Sequence, residues 1–136
     1  MRGDGETATT VTETVLVVDG DVLVRLVIAA YLRDCGYRVI EATSADEAMV
    51  ILGGDEIRAD VVLCAVDLGG GTDGFGLAQW IRQRRPGLEV MLAGTVTREA
   101  HIAGELCDGG SQLARPYAPQ VVLDRIRRLL ARRPRG

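Results

Sequence analysis

Short β-branched runs alternate with amphipathic stretches along most of the chain, and this alternation predicts its elements. "VLVVD", Val15 to Asp19, is an apolar run suited to a strand buried on both faces. In "DVLVRLVIAAYLRDCG" the apolar residues Val22, Leu26, Ala29, Ala30 and Leu32 recur near helical spacing, and Gly36 supplies a stop. "YRVIEA" predicts a second strand. Ser44 and Glu47 in "SADE" have capping-box spacing at the start of a helix that ends near Gly53 and Gly54. "DVVLCAV" predicts the third strand, followed by a helix from about Gly74 to Arg85 that Pro86 closes. "LEVMLA" is the fourth strand, "REAHIAGEL" a weak helix and "SQLA" a short fifth strand. "PQVVLDRIRRLLARR" is a strong final helix, with Val122, Ile126, Leu129 and Leu130 on one face.

Five strand–helix units in one compact domain imply a parallel sheet with helices on both faces, because right-handed crossovers leave few other topologies. The expected architecture is α/β, a flavodoxin-like (βα)5 doubly wound sheet with strand order 2-1-3-4-5. Sites in such sheets form beyond the carboxyl ends of the strands, near the point where strand order reverses. Here those positions are Asp19-Gly20-Asp21 after the first strand, Ala65 to Asp73 after the third, Ala93 to Thr95 after the fourth, and Arg115 after the fifth.

A chain of 136 residues fits one domain and can bury roughly two thirds of its unfolded surface without covalent staples. The expected division is a flexible polar N-terminal tail over 1–14, the domain over 15–131 and a basic tail over 132–136. The three cysteines, Cys35, Cys64 and Cys107, are odd in number, far apart and without CxxC spacing. They indicate neither a disulfide framework nor a zinc site, and a reducing cytoplasm is the expected location. The N-terminal segment lacks the apolar core of a signal peptide, and Arg25 interrupts the longest apolar stretch, so no membrane association is expected. A net charge of −3 argues against nucleic-acid binding, although six arginines crowd the C-terminal end. Those six suit a solvated helix end. His101 has no metal-spaced partner, the triple glycine Gly69 to Gly71 lacks the spacing of a phosphate cradle, and Trp80 on the third helix is expected to be a core anchor or a partly covered face residue rather than a ligand platform.

"VLVVDGDVLVR", "LRDCGYRVIEATSADEA", "DGFGLAQWIRQRRPGLEV" and "ARPYAPQVVLDRIRRLL", matching in order and spacing from Val15 to Leu130, resemble the receiver domains of two-component response regulators. The resemblance implies a phospho-acceptor aspartate at the end of the third strand and Mg²⁺ held between it and an acidic pair after the first strand. It further implies a hydroxyl residue after the fourth strand and a lysine after the fifth, both holding phosphoryl oxygens.

This chain departs from that pattern in four places. Asp19 matches the first acid of the pair, but Gly20 stands where the second belongs, with Asp21 following. Counting five residues from Asp60 places the acceptor at Ala65, whose methyl group forms no acyl phosphate. Ala93 stands at the hydroxyl position, with Thr95 two residues on, and Arg115 replaces the lysine. Gln112 also replaces the aromatic residue that couples to the hydroxyl. Asp67 becomes the acceptor only if the third strand slides by two residues; from Ala65 to Asp73 is eight residues and from Asp67 six, so loop spacing alone does not decide. "DVVLC" already fills the strand before Ala65, which makes Asp67 a loop carboxylate at the rim.

The resemblance therefore implies a non-enzymatic pseudo-receiver that acts through protein contacts without phosphorylation. The alternative is a receiver that accepts phosphate on Asp67. Asp19, Asp21 and Asp67 are the candidate Mg²⁺ ligands, with weak binding expected and no other cofactor. Expected partners are a histidine kinase, a phosphotransfer protein or a downstream regulator. A homodimer through the fourth helix, fifth strand and fifth helix is a further expectation. No effector domain follows the final helix, so a stand-alone domain is expected.

Overall fold

The computed structural model describes residues 13–110. Within them, four parallel strands alternate with four helices: β1 (Thr14–Val18), α1 (Val22–Asp34), β2 (Arg38–Ala42), α2 (Ala45–Gly53), β3 (Val61–Ala65), α3 (Gly74–Arg84), β4 (Glu89–Ala93) and α4 (Val96–Gly110). The sheet order is β2-β1-β3-β4, the first four strands of the expected 2-1-3-4-5 arrangement. The expected fifth strand and final helix, with Gln112 and Arg115, lie outside the described residues.

Strand composition follows position in the sheet. β1 and β3 are central, buried along their whole length, and built from Val, Leu, Thr, Cys and Ala. Their alternating side chains feed two cores. Val15, Val17 and Leu63 face α1 and α4, whereas Leu16, Val18, Val62 and Cys64 face α2 and α3. The start of β3 is pinned to β1 by a reciprocal pair: Asp60 N donates to Thr14 O at 2.8 Å, and Thr14 N donates to Asp60 Oδ2 at 2.7 Å. From that anchor the strand runs to Ala65, which pairs with Ala93 of β4.

Each helix start uses a short polar cap. Asp21 accepts from Val24 N, Ser44 from Glu47 N, Asp73 from Gly76 N and Thr95 from Arg98 N. The Ser44–Glu47 capping signal thus operates, with Glu47 reaching back to Thr43 N at 2.6 Å. The helix expected only weakly from "REAHIAGEL" is longer than that segment, because Thr95 caps it three residues upstream and it continues to Gly110.

Two further expectations need correction. In α1, Ala29 and Leu32 are buried as expected, but Val22, Leu26 and Ala30 are exposed. The inward face is instead built on Val24, Val27, Ile28, Tyr31 and Leu32. The helix is apolar around most of its girth, so spacing alone does not select the face that meets the sheet. The cysteines also pair. Cys35 at the end of α1 is joined to Cys107 of α4 by a disulfide with Cα atoms 5.6 Å apart, while Cys64 stays free and buried. The 72-residue separation hides this in the sequence, and only the packing of α1 beside α4 brings the two thiols together. The cysteine argument for a reducing compartment is thereby removed. Among the described residues, no helix is long and apolar enough to cross a membrane.

The turn from β3 into α3 depends on glycine. Gly69 and Gly70 adopt positive φ of 70° and 78°. Gly74 N donates to Val66 O at 2.8 Å, so tightly that a Cβ on Gly74 would land on the Ala65 carbonyl oxygen and 2.9 Å from Val66 Cα, both backbone atoms. Gly74→Ala is expected to cost about 1–3 kcal/mol, the range for overpacking a close contact, measured by chemical denaturation. An unchanged midpoint would show that the β3–α3 turn yields freely.

Candidate functional site

The carboxyl ends of β1, β3 and β4 open onto a cavity of about 390 Å³. Asp19, Gly20 and Asp21 line it from the first turn, Ala65 and Asp67 to Gly69 from the second, and Ala93 to Val96 with Glu99 from the third. The residues singled out after the first, third and fourth strands therefore do converge. Those after the fifth lie outside the described residues.

Asp19 is held on all sides. It is 5% exposed, its N–H donates to Ala42 O at 3.0 Å, and its Oδ1 accepts from Asp21 N at 2.8 Å. Arg25, buried in α1, donates from Nη1 to the Asp19 carbonyl at 2.8 Å and from Nε to Glu41 Oε1 at 3.1 Å. This arginine ties the end of β1 to β2. Sequence reasoning saw in Arg25 only a break in an apolar run; its position one turn after the Asp21 cap was the available signal.

Gly20 brings no side chain to the cavity. A Cβ there would lie 3.0 Å from the Leu68 carbonyl oxygen, so the β3–α3 loop leans into the space a larger residue would fill. Ala65 ends β3 with its methyl group at the cavity, and Val66 N continues the ladder to Ala93 O at 2.9 Å. Asp67 is exposed beyond the strand, where its Oδ1 accepts from Gly69 N at 3.3 Å. Ala93 is 2% exposed and presents a methyl group, while Thr95 is exposed and spends its hydroxyl on the α4 cap. His101 is exposed on α4, and Trp80 is half-buried with the Arg84 guanidinium 5.2 Å over its ring.

The carboxylate missed in the sequence is Glu99. It sits in the first turn of α4, is 2% exposed, and hydrogen-bonds the Asp19 side chain, while its Oε2 is buried without a hydrogen-bond partner among the described residues. Burial first, then the hydrogen bond to Asp19 and the charges of Asp19 and Asp21, push Glu99 from an ordinary 4.5 up to about 10. Burial, then Glu99, Asp19 and Asp73, likewise push the Cys64 thiol up to about 12, so it is an inert thiol rather than a nucleophile.

The Glu99 shift sets a pH dependence of stability. The folded state holds this proton more tightly than the unfolded chain, so protonation stabilises the fold. The contribution is full below about 4.5 and is lost as pH rises toward about 10. Glu99→Gln is expected to remove this slope from a melting-temperature profile across that window. A profile of equal slope in the variant would place the titration elsewhere.

The ion of the family evoked by the sequence does not fit these residues as that family holds it. Gly20 and Ala65 contribute no oxygen, Asp21 caps α1, and Asp67 closes a loop turn. Among the described residues no three His, Cys, Asp or Glu side chains form a metal-holding group.

A sheet order that reverses beside an acidic cavity is a shape shared by many proteins, but the full run of residues is more specific. The family profile of the response regulator receiver domain matches residues 15–127. The chain belongs to this family. This receiver domain is 30% identical over 132 residues to "Probable transcriptional regulatory protein TcrX" of Mycobacterium tuberculosis, covering 96% of this chain and 53% of that protein. It is 29% identical over 120 residues to the transcriptional regulatory protein AruR of Pseudomonas aeruginosa, covering 87% and 49%. The chain thus spans about half the length of the curated relatives it matches. Two solved structures share the fold. The chemotaxis response regulator CheY4 of Vibrio cholerae matches with TM-score 0.57 at 23% identity, over 88% of this chain and 99% of that one. A CheY-like receiver domain protein of Methanospirillum hungatei matches with TM-score 0.58 at 18% identity, over 89% and 95%. At these identities the two structures speak for fold alone.

Proposed function

We propose that this receiver domain works in two-component signalling as a pseudo-receiver, an interaction module that contacts its partner without becoming phosphorylated. The observation that carries the reading is the end of β3. The last residue of the strand, at the cavity, is Ala65, and the nearest carboxylate in that turn, Asp67, lies two residues on in the loop at the cavity rim, exposed and engaged by Gly69 N. An acyl phosphate needs a carboxylate facing the ion and the hydroxyl donor; a methyl group supplies none. Ala93 and Gly20 remove the donor and an ion ligand in the same place.

The domain is then no enzyme. Its partner is a protein of the signalling chain: a histidine kinase, a phosphotransfer protein or a downstream regulator. Contact runs through the α4 side of the domain, the side carrying Glu99 and the disulfide. We assign it to the cytoplasm, where such partners present their phosphohistidine, and to protein rather than nucleic-acid contacts. The expected face of α4 with the fifth strand and fifth helix, and any dimer through it, involve elements outside the described residues.

Intact mass after incubation with acetyl phosphate and Mg²⁺ tests the reading. No added phosphoryl group is expected on the wild type. A gain of one phosphoryl group that disappears in Asp67→Ala would overturn it in favour of a phosphate-accepting receiver built on Asp67, which lines the same cavity as Asp19.

A further inference from the structure

We propose that Cys35 and Cys107 form a reversible thiol–disulfide site, opened and closed by exchange with a protein dithiol, and that its state sets how firmly α4 is held to α1. The bond joins the C-cap of α1 to the second half of α4. In a cytoplasm, the location assigned to this domain, a disulfide is usually transient and redox-sensing rather than a permanent staple. A domain of this length with an apolar core on each side of its sheet does not need a staple to fold.

Three features suit the pair to exchange. Cys35 lies at a helix end between the exposed Asp34 and the exposed Gly36, whose φ of 103° turns the chain away, and a helix end frays without the rest of the fold opening. Around the bond, Val27, Ile28 and Tyr31 of α1 share one core with Ala100 and Ala103 of α4, and Tyr37 Oη donates to the Leu106 carbonyl at 2.6 Å. Those contacts keep the helices together when the bond opens, so reduction loosens the fold without dissolving it. Cys64 is buried across the sheet in the other core as an inert thiol, which leaves the pair only two states.

In the exchange, one thiolate of the dithiol attacks Cys35 Sγ, the S–S bond breaks, and Cys107 leaves as a thiolate that takes up a proton. The second thiol of the dithiol then attacks the dithiol's own sulfur in the mixed disulfide and displaces Cys35, which is protonated in turn. Two electrons have passed to the chain, and the dithiol has become a disulfide. Oxidation is the reverse, with the disulfide form of the same class of partner as electron acceptor. A monothiol such as glutathione stalls at the mixed disulfide, because Cys107 stands beside Cys35 and recloses the bond before a second molecule arrives.

The consequence reaches the cavity. α4 carries Val96 and Glu99 at the cavity wall and Cys107 about 12 Å beyond Glu99, at a helix rise of 1.5 Å per residue. In the oxidised chain that far part of the helix is tied to α1; in the reduced chain packing and the Tyr37 hydrogen bond alone hold it. The position of α4, the side assigned to partner contact, would then answer to redox state rather than to a phosphoryl group. Only this last consequence rests on the interaction reading, and the exchange itself is independent of whether Asp67 accepts phosphate.

The test treats the full chain under native conditions with dithiothreitol, or with glutathione at equal thiol concentration, followed by a maleimide and intact mass. Two maleimides are expected after dithiothreitol and none before it, with Cys64 labelled only on denaturation. Glutathione should leave at least roughly tenfold less reduced chain, and oxidised dithiothreitol should restore the bond. Hydrogen exchange read by mass spectrometry should show amides of α4 around Leu106 exchanging at least roughly tenfold faster in the reduced chain, while β1 and β3 keep their protection. Cys35→Ser with Cys107→Ser should reproduce the reduced pattern and ignore reductant, and Cys64→Ala should respond as the wild type does. The wild-type comparison decides should the double serine variant not fold. Reduction only in denaturant, unchanged α4 exchange on reduction, or a response that persists in the double serine variant would each overturn the proposal, and equal reduction by glutathione would overturn its dithiol partner. A chain that passes these tests yet takes phosphate from acetyl phosphate would support the exchange site and overturn the interaction reading alone.

Discussion

Ala65→Asp alone is expected to lower stability by about 2–4 kcal/mol and to leave the chain unlabelled by acetyl phosphate. The substitution restores the family's nucleophile in name, but it does so at a 9% exposed position beside Asp19 and Glu99. A third acid in that wall raises its own pKa and weakens itself as a nucleophile. Adding Gly20→Asp supplies an ion ligand, at the cost of moving the Leu68 carbonyl that now stands 3.0 Å from the site of its Cβ. Adding Ala93→Thr supplies a hydroxyl. The structure asks for a fourth change, Glu99→Gln, because the Glu99 carboxyl lines the cavity where phosphoryl oxygens would have to enter. The quadruple variant is expected to take phosphate from the small donor, and each variant lacking one change to label poorly, as befits residues that act as a unit. Intact mass reads each step. Efficient labelling of Ala65→Asp by itself would show a site far less altered than described.

Loss of the Cys35–Cys107 bond is expected to be the largest single effect on stability. It closes a loop of 72 residues, for which the chain-entropy account gives a contribution of about 4 kcal/mol. Both cysteines lie in the core between α1 and α4, 5% and 4% exposed, so Cys35→Ala with Cys107→Ala adds a small packing loss. Reduction with dithiothreitol, or the double variant, should lower the melting temperature by roughly 10 °C while the sheet remains intact by circular dichroism. A melting temperature indifferent to reductant would show that α1 and α4 hold together by packing alone.

Much of this molecule is written locally. Apolar runs of β-branched residues mark β1 and β3 because those strands are covered on both faces, and the caps Ser44 and Asp73 mark their helices because a helix start must satisfy its own N–H groups. The end of β3 at Ala65 follows from its length, counted from an aspartate that the fold uses to pin β3 to β1. What escaped reading depends on tertiary contact. An acid in a weakly helical segment looks solvated, yet Glu99 stands on one stripe with Ile102, Ala103 and Leu106, and that i, i+3, i+4, i+7 spacing was the available sign that it points inward. Val22 and Leu26 misled because α1 is apolar nearly all round, and the sheet rather than periodicity decides which side is covered. The disulfide had no local signature at all.

The most direct test of a receiver without phosphate chemistry is a set of ¹H–¹⁵N correlation spectra of the wild-type chain in Mg²⁺, with and without beryllofluoride, which mimics a phosphoryl group on an aspartate. It reports occupancy at the carboxyl ends of β3 and β4 and any response of α4 together. The expected result is a spectrum in Mg²⁺ that does not change on addition of beryllofluoride. A saturable second set of shifts that requires beryllofluoride, spreads from Asp67 through Ala93 into α4, and vanishes in Asp67→Ala would contradict the account.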